Sequence, residues 1–119
     1  MDLFIIHFMQ SKSFHLTGIE ELPKEEIKSL LDLAESYHQK LNAKEGWSSD
    51  LLKGKVLFYL FFENSTRTRI SFEMAAKRLG ASVINWNTDT SSMQKEETFL
   101  DTIQTLGAMK PDGVVIRHS

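Results

Sequence analysis

The chain has 119 residues, enough for one small domain, and its 41% hydrophobic and 25% charged content places it with globular chains that fold in water. A net charge of −2 excludes the basic excess of a nucleic-acid binder, and the absence of cysteine excludes disulfides, thiolate catalysis and cysteine zinc sites. No apolar run approaches a membrane span, so neither nucleic acid nor membrane is an expected partner, and a chain without cysteine fits a reducing, cytoplasmic setting.

Residues 1–9, MDLFIIHFM, form a short apolar stretch with neither a basic leader nor a small-residue cleavage site. They read as a disordered or loosely docked extension, and Met9 reads as the natural start. The expected division is an N-terminal extension over residues 1–12 and a partial domain over residues 13–119. Residues 23–41 predict an amphipathic helix. Ile27, Leu30, Leu31, Ala34, His38 and Leu41 recur at helical spacing, Pro23 suits the first position, and Glu25 and Glu26 suit the positive end of the dipole. Residues 42–53 are a polar connection.

Residues 55–62, KVLFYLFF, are almost wholly apolar and predict a strand buried on both faces. Glu63, Asn64 and Ser65 make a turn into a helix over residues 66–79. Phe72, Ala75, Ala76 and Leu79 define its inner face, Ile70 and Met74 widen it, and Gly80 stands where a helix-terminating glycine belongs. Residues 82–86 predict a second strand, residues 87–94 a polar loop, and residues 97–109 a helix with Phe99, Ile103 and Leu106 on one side. Pro111 ends that helix, and residues 113–117 predict a third strand. This strand–helix alternation predicts an α/β fold: a three-layer α/β/α arrangement with a parallel sheet.

The chemistry is concentrated in Ser65, Thr66, Arg67, Thr68 and Arg69, between a buried strand and a helix. A helix N-terminus offers unpartnered N–H groups and positive potential, which together attract anions. Three hydroxyls add donors, and Arg67 or Arg69 adds a planar fork that can grip two phosphate oxygens. Helix capping alone accounts for a hydroxyl here. It does not account for two arginines in a first turn, where positive charge opposes the dipole. Arg117 ends a strand at the edge where parallel sheets bind ligands. His118 reads equally as a site neighbour or a structural residue. His7, His15 and His38 show no ligand spacing, and Trp47 and Trp86 read as packing residues. No metal or other cofactor is expected.

The segment FENSTRTRISFEMAAKRLGAS resembles the signature of the aspartate and ornithine carbamoyltransferases. The likeness continues through Ser91, Lys95, Glu97, Thr98, Asp101 and Thr102 to Arg117 and His118. The helix end Arg78-Leu79-Gly80-Ala81, the Ser91–Lys95 loop and His118 after Arg117 favour the aspartate branch over an ornithine enzyme. The resemblance implies transfer of a carbamoyl group from carbamoyl phosphate to L-aspartate, giving N-carbamoyl-L-aspartate and phosphate in pyrimidine biosynthesis. It implies that Ser65, Thr66, Arg67, Thr68 and Arg117 bind carbamoyl phosphate, with Arg67, Thr68, Lys95 and Arg117 catalytic. Ser91 and Lys95 are implied to reach the site of an adjacent subunit, with Lys95 also binding aspartate, in a homotrimer of catalytic chains.

One departure stands out: Glu96 occupies a position where the family usually has glycine. Glutamate lacks glycine's backbone freedom and sets a carboxylate beside Lys95, which opposes loop closure. The resemblance also implies a His-Pro-Thr-Gln segment and a second α/β domain after Ser119. The chain therefore reads as an incomplete N-terminal carbamoyl-phosphate-binding domain. Alone it is expected to be inactive, and an inactive anion-binding domain or an ornithine-type fragment are the competing readings. The edge of the strand over residues 113–117 is expected to be uncovered, which favours self-association.

Overall fold

The computed structural model describes residues 3–8, 14–62, 65–86 and 99–118. In chain order the elements are β1 (Leu3–Phe8), β2 (Phe14–Leu16), α1 (Lys24–Ala43), β3 (Val56–Phe61), α2 (Thr66–Arg78), β4 (Ser82–Trp86), α3 (Phe99–Ala108) and β5 (Gly113–His118).

β3 is central among the three parallel strands, between β5 and β4, as the family resemblance implies, and its uninterrupted apolar run is buried on both faces. Its side chains alternate between two cores. Leu57, Tyr59 and Phe61 pack with Ala76 of α2 and Val115, against Phe72 and Val83. Phe58 and Leu60 pack on the other face with Leu106 of α3 and Ile116, against Ile103 and Trp86. Helices thus cover both faces of the parallel strands, which is the predicted three-layer arrangement. Crossovers through α2 and α3 place the carboxyl ends of β3, β4 and β5 along one edge.

Two expectations need correction. β1 is a strand paired antiparallel along β5, with Ile5 opposite Ile116 and Phe4 opposite Arg117, so the extension is docked and the β5 edge is covered. β2 pairs antiparallel with β1, giving a mixed sheet of order β2-β1-β5-β3-β4. An apolar strand beside another apolar strand's open edge gains both backbone hydrogen bonds and burial.

The second correction concerns α1. The helix forms where expected, with Glu25 and Glu26 in its first turn and Lys40 in its last, yet none of its residues is buried. Leu31 is 65% exposed, and Leu30, Leu33 and Leu41 are exposed as well. Its fixed contacts lie at its C-terminal end, where Tyr37 meets Trp47 edge to face at 5.7 Å. Ile70 and Met74 of α2, expected to widen the inner face, are exposed instead.

α2 ends as its glycine predicts. Gly80 has φ +87, its N–H donates to the Lys77 carbonyl, and the Ala81 N–H donates to the Ala76 carbonyl, which is a Schellman termination. The connection before β3 caps the same end, since the N–H groups of Ser49 and Leu52 donate to the carbonyls of Arg78 and Leu79 at 2.7 and 2.8 Å.

Candidate active site

The carboxyl edge of the parallel strands carries the motif. β3 ends at Phe61, and α2 starts at Thr66. β5 runs beside β3 in a register that sets Arg117 opposite Phe61, and the Phe62 N–H donates to the Arg117 carbonyl at 2.9 Å. Arg117 is thereby delivered to the first turn of α2 from a sequence distance of about fifty residues.

There its Nη1 donates to Thr68 Oγ1 at 2.9 Å and to Ser65 Oγ. Ser65 is the residue before the helix, but its side chain makes no capping hydrogen bond. Ser65 therefore does not cap the helix, and its hydroxyl accepts from the guanidinium. The first turn also contains no acidic residue. Its N–H groups and dipole remain available to an outside anion.

The two arginines of the motif separate. Arg69 lies 3.5 Å from Glu73 in an i,i+4 ion pair. Arg67 is exposed, and no carboxylate pairs with it among the described residues. Thr66 is exposed beside it, while Ser65, Thr68 and Arg117 are half-buried. The first turn thus carries two sets of donors: Thr66 and Arg67, which are exposed, and the half-buried guanidinium of Arg117 with the two hydroxyls that it holds. Such donors can hold a phosphate-sized dianion and stabilise negative charge developing next to it.

Ser91, Lys95 and Glu96 lie outside the described residues, as does the side chain of His118. Among the described residues no cluster of histidine, aspartate and glutamate could hold a metal ion. A cavity of about 240 Å³ lined by Gly46, Trp47, Ser48, Met74, Lys77 and Arg78 sits at the opposite end of α2 from the motif.

Trp86, read from the sequence as a packing residue, ends β4 and packs against the Phe58 and Leu60 core, and its indole Nε1 has no hydrogen-bond partner among the described residues. One polar contact escapes a reading by pattern. Tyr59 is hidden in the apolar run of β3, yet its hydroxyl donates to the Phe72 carbonyl of α2 at 2.6 Å. Burial, with the nearby Glu73 carboxylate adding to it, pushes the Tyr59 phenol up to about 12. The available signal is the residue type, since a tyrosine within a buried strand must place its hydroxyl on a partner.

Residues 14–119 match the family described as aspartate/ornithine carbamoyltransferase, carbamoyl-P binding domain. The chain belongs to that family. The aspartate carbamoyltransferase catalytic subunit of Granulibacter bethesdensis is 58% identical over 105 residues, covering 88% of this chain and 33% of the relative. That of Acidiphilium cryptum is 54% identical over 110 residues, covering 92% of this chain and 35% of the relative. The chain thus spans about a third of the length of these relatives. Among solved structures, aspartate transcarbamoylase from Trypanosoma cruzi in complex with carbamoyl phosphate and aspartate superposes with a TM-score of 0.70 at 41% identity. That match covers 78% of this carbamoyltransferase-family chain and 28% of the trypanosome chain. The same trypanosome protein in complex with carbamoyl aspartate and phosphate gives the same TM-score and identity, over 78% of this chain and 29% of its own.

Proposed function

We propose that this chain carries the carbamoyl-phosphate half of an aspartate carbamoyltransferase active site, acting in pyrimidine biosynthesis in the cytoplasm. The observation that carries the reading is the pair of hydrogen bonds from Arg117 to Ser65 and Thr68, which joins the end of β5 to the first turn of α2. The relatives named above favour aspartate as the carbamoyl acceptor over ornithine.

In this reading the amides at the start of α2, with Ser65, Thr66 and Arg67, take the phosphate group. Arg117 and Thr68 lie where the carbamoyl oxygen falls. The amine of aspartate attacks the carbonyl carbon, a C–N bond forms, and the oxygen gains negative charge. As the C–O bond to phosphate breaks and the carbonyl re-forms, the nitrogen passes a proton to the departing phosphate. Donors aimed at both oxygens lower this barrier, and one such donor is worth roughly 100-fold or more in rate. The assignments of Ser91 and Lys95 to a neighbouring subunit's site, of Lys95 to aspartate, and of a homotrimer rest on the family resemblance.

Titration of the chain with phosphate and then carbamoyl phosphate, followed by amide NMR shifts, tests the reading. Shifts centred on Thr66, Arg67, Thr68 and Arg117 are expected, and Arg117→Ala should weaken binding by about 10-fold or more, as loss of a hydrogen bond to a charged group does. Shifts scattered over the surface, or affinity unchanged in Arg117→Ala, would remove the site from this edge.

A further inference from the structure

Tyr59 sits in the middle of β3 and is 2% exposed. Phenylalanine would fill nearly the same space there with no polar atom to satisfy. The Tyr59 hydroxyl donates instead to the Phe72 carbonyl, which lies inside α2, where the helical ladder already supplies a partner from the residue four positions on. The bond is therefore surplus to the helix itself. Its effect is on placement, because it ties α2 to the central strand at a fixed height. Ring contacts hold the same joint: Tyr59 and Phe61 meet Phe72 at centroid distances of 6.1 and 6.4 Å.

Height is what the anion site depends on. Arg117 rides on β5, and β5 is locked to β3 by the Phe61–Arg117 register. Ser65 and Thr68 ride on α2. The site is thus set by the offset between sheet and helix. Phe72 lies one helical turn beyond Thr68, roughly 6 Å along the axis. Next to it, Glu73 holds Arg69 of the first turn. Arg117 attaches the start of α2 to the sheet, and Tyr59 attaches the following turn.

We propose that Tyr59 is a positioning residue for the carbamoyl-phosphate turn, its hydroxyl holding α2 at the height where the first-turn amides and Arg117 converge. This rests on the anion-binding reading above.

The test compares the full chain with Tyr59→Phe and with Val83→Ala, a core change on the same sheet face that leaves the hydroxyl in place. Amide NMR is recorded without ligand and through a phosphate titration. Tyr59→Phe should move the ligand-free amides of Thr66, Arg67 and Thr68 and weaken phosphate binding by about 3- to 10-fold, the fold-change of one lost hydrogen bond. Val83→Ala should lower stability and leave both readouts as in the unaltered chain. Tyr59→Phe with unmoved amides overturns the proposal, as does equal weakening by both variants. If the unaltered chain gives no localised phosphate shift, the anion reading fails separately. The ligand-free amides of Tyr59→Phe then still decide whether the hydroxyl positions the turn.

Discussion

Arg117 does at the residue scale what no local pattern announces: it takes Ser65 away from helix capping. A serine at that position normally satisfies a first-turn N–H, worth about 1 kcal/mol to a helix. Here the hydroxyl accepts from a guanidinium, and the amides stay open toward an anion. Tyr59 gives a second residue-scale expectation. Its phenol rests at about 12 against 10 in the unfolded chain, so the folded state holds the proton more tightly. Stability from that source is complete below pH 10 and is lost as pH climbs toward 12. At neutral pH, Tyr59→Phe should cost about 1 kcal/mol for the hydrogen bond. By pH 11 the unaltered chain should have given up on the order of 1 kcal/mol that the phenylalanine variant keeps. Urea unfolding of both chains from pH 8 to 11 should show the gap between them close. A gap that stays constant would mean that the phenol is not held in its protonated form by its surroundings.

At the scale of elements, α2 is decided at its two ends. At its start the first turn has no side-chain cap and no acidic residue, and at its finish Gly80 turns the chain at φ +87. A Cβ on Gly80 would stand 3.3 Å from the Ser49 carbonyl oxygen and 3.4 Å from the Lys53 nitrogen, in a backbone region that side chains disfavour by about 1–2 kcal/mol. Gly80→Ala should therefore destabilise by roughly 1–3 kcal/mol, read by denaturant unfolding. β3 and α1 offer the complementary contrast. Leu60 is 1% exposed and Leu31 is 65% exposed. Leu60→Ala should cost about 2–5 kcal/mol and Leu31→Ala less than about 0.5. Comparable losses at the two positions would show α1 packed in solution on a surface that its exposed leucines do not reveal.

The same contrast explains what could be read beforehand. β3, β4 and β5 and the three helices follow from apolar runs and periodicities that are local in sequence, and the Ser65–Arg69 cluster is contiguous. Arg117 could be placed at the ligand-binding edge because it ends a parallel strand, and beside the motif only through the family resemblance. Periodicity reports that α1 has an apolar stripe. It does not report whether anything covers the stripe, because the partner surface is remote. The Tyr59–Phe72 bond is hidden for the opposite reason: a tyrosine inside KVLFYLFF adds to the apolar signal while concealing a polar atom.

For the whole molecule, the decisive addition is β1. Residues 1–13 precede the stretch matched to the carbamoyltransferase family, yet Leu3–Phe8 supplies a full-length antiparallel partner to β5. Edge pairing of this kind is invisible locally, since LFIIHF is apolar whether or not a strand edge awaits it. Its consequence reverses the expectation of an open, self-associating edge. β5 carries Arg117, so its two neighbours hold the arginine's strand from both sides: β3 in parallel register and β1 antiparallel, with Phe4 opposite Arg117. A chain lacking residues 1–8 would leave the outer backbone N–H and C=O groups of Gly113–His118 without partners and uncover an apolar strand edge, a template for another chain. The shortened chain should associate with rising concentration in sedimentation velocity, while the full chain stays at one sedimentation coefficient. Hydrogen exchange should quicken in β5 and remain slow in β4, whose pairing with β3 does not involve β1. Equal sedimentation and equal β5 protection in the two chains would show that the first eight residues are not what closes this edge.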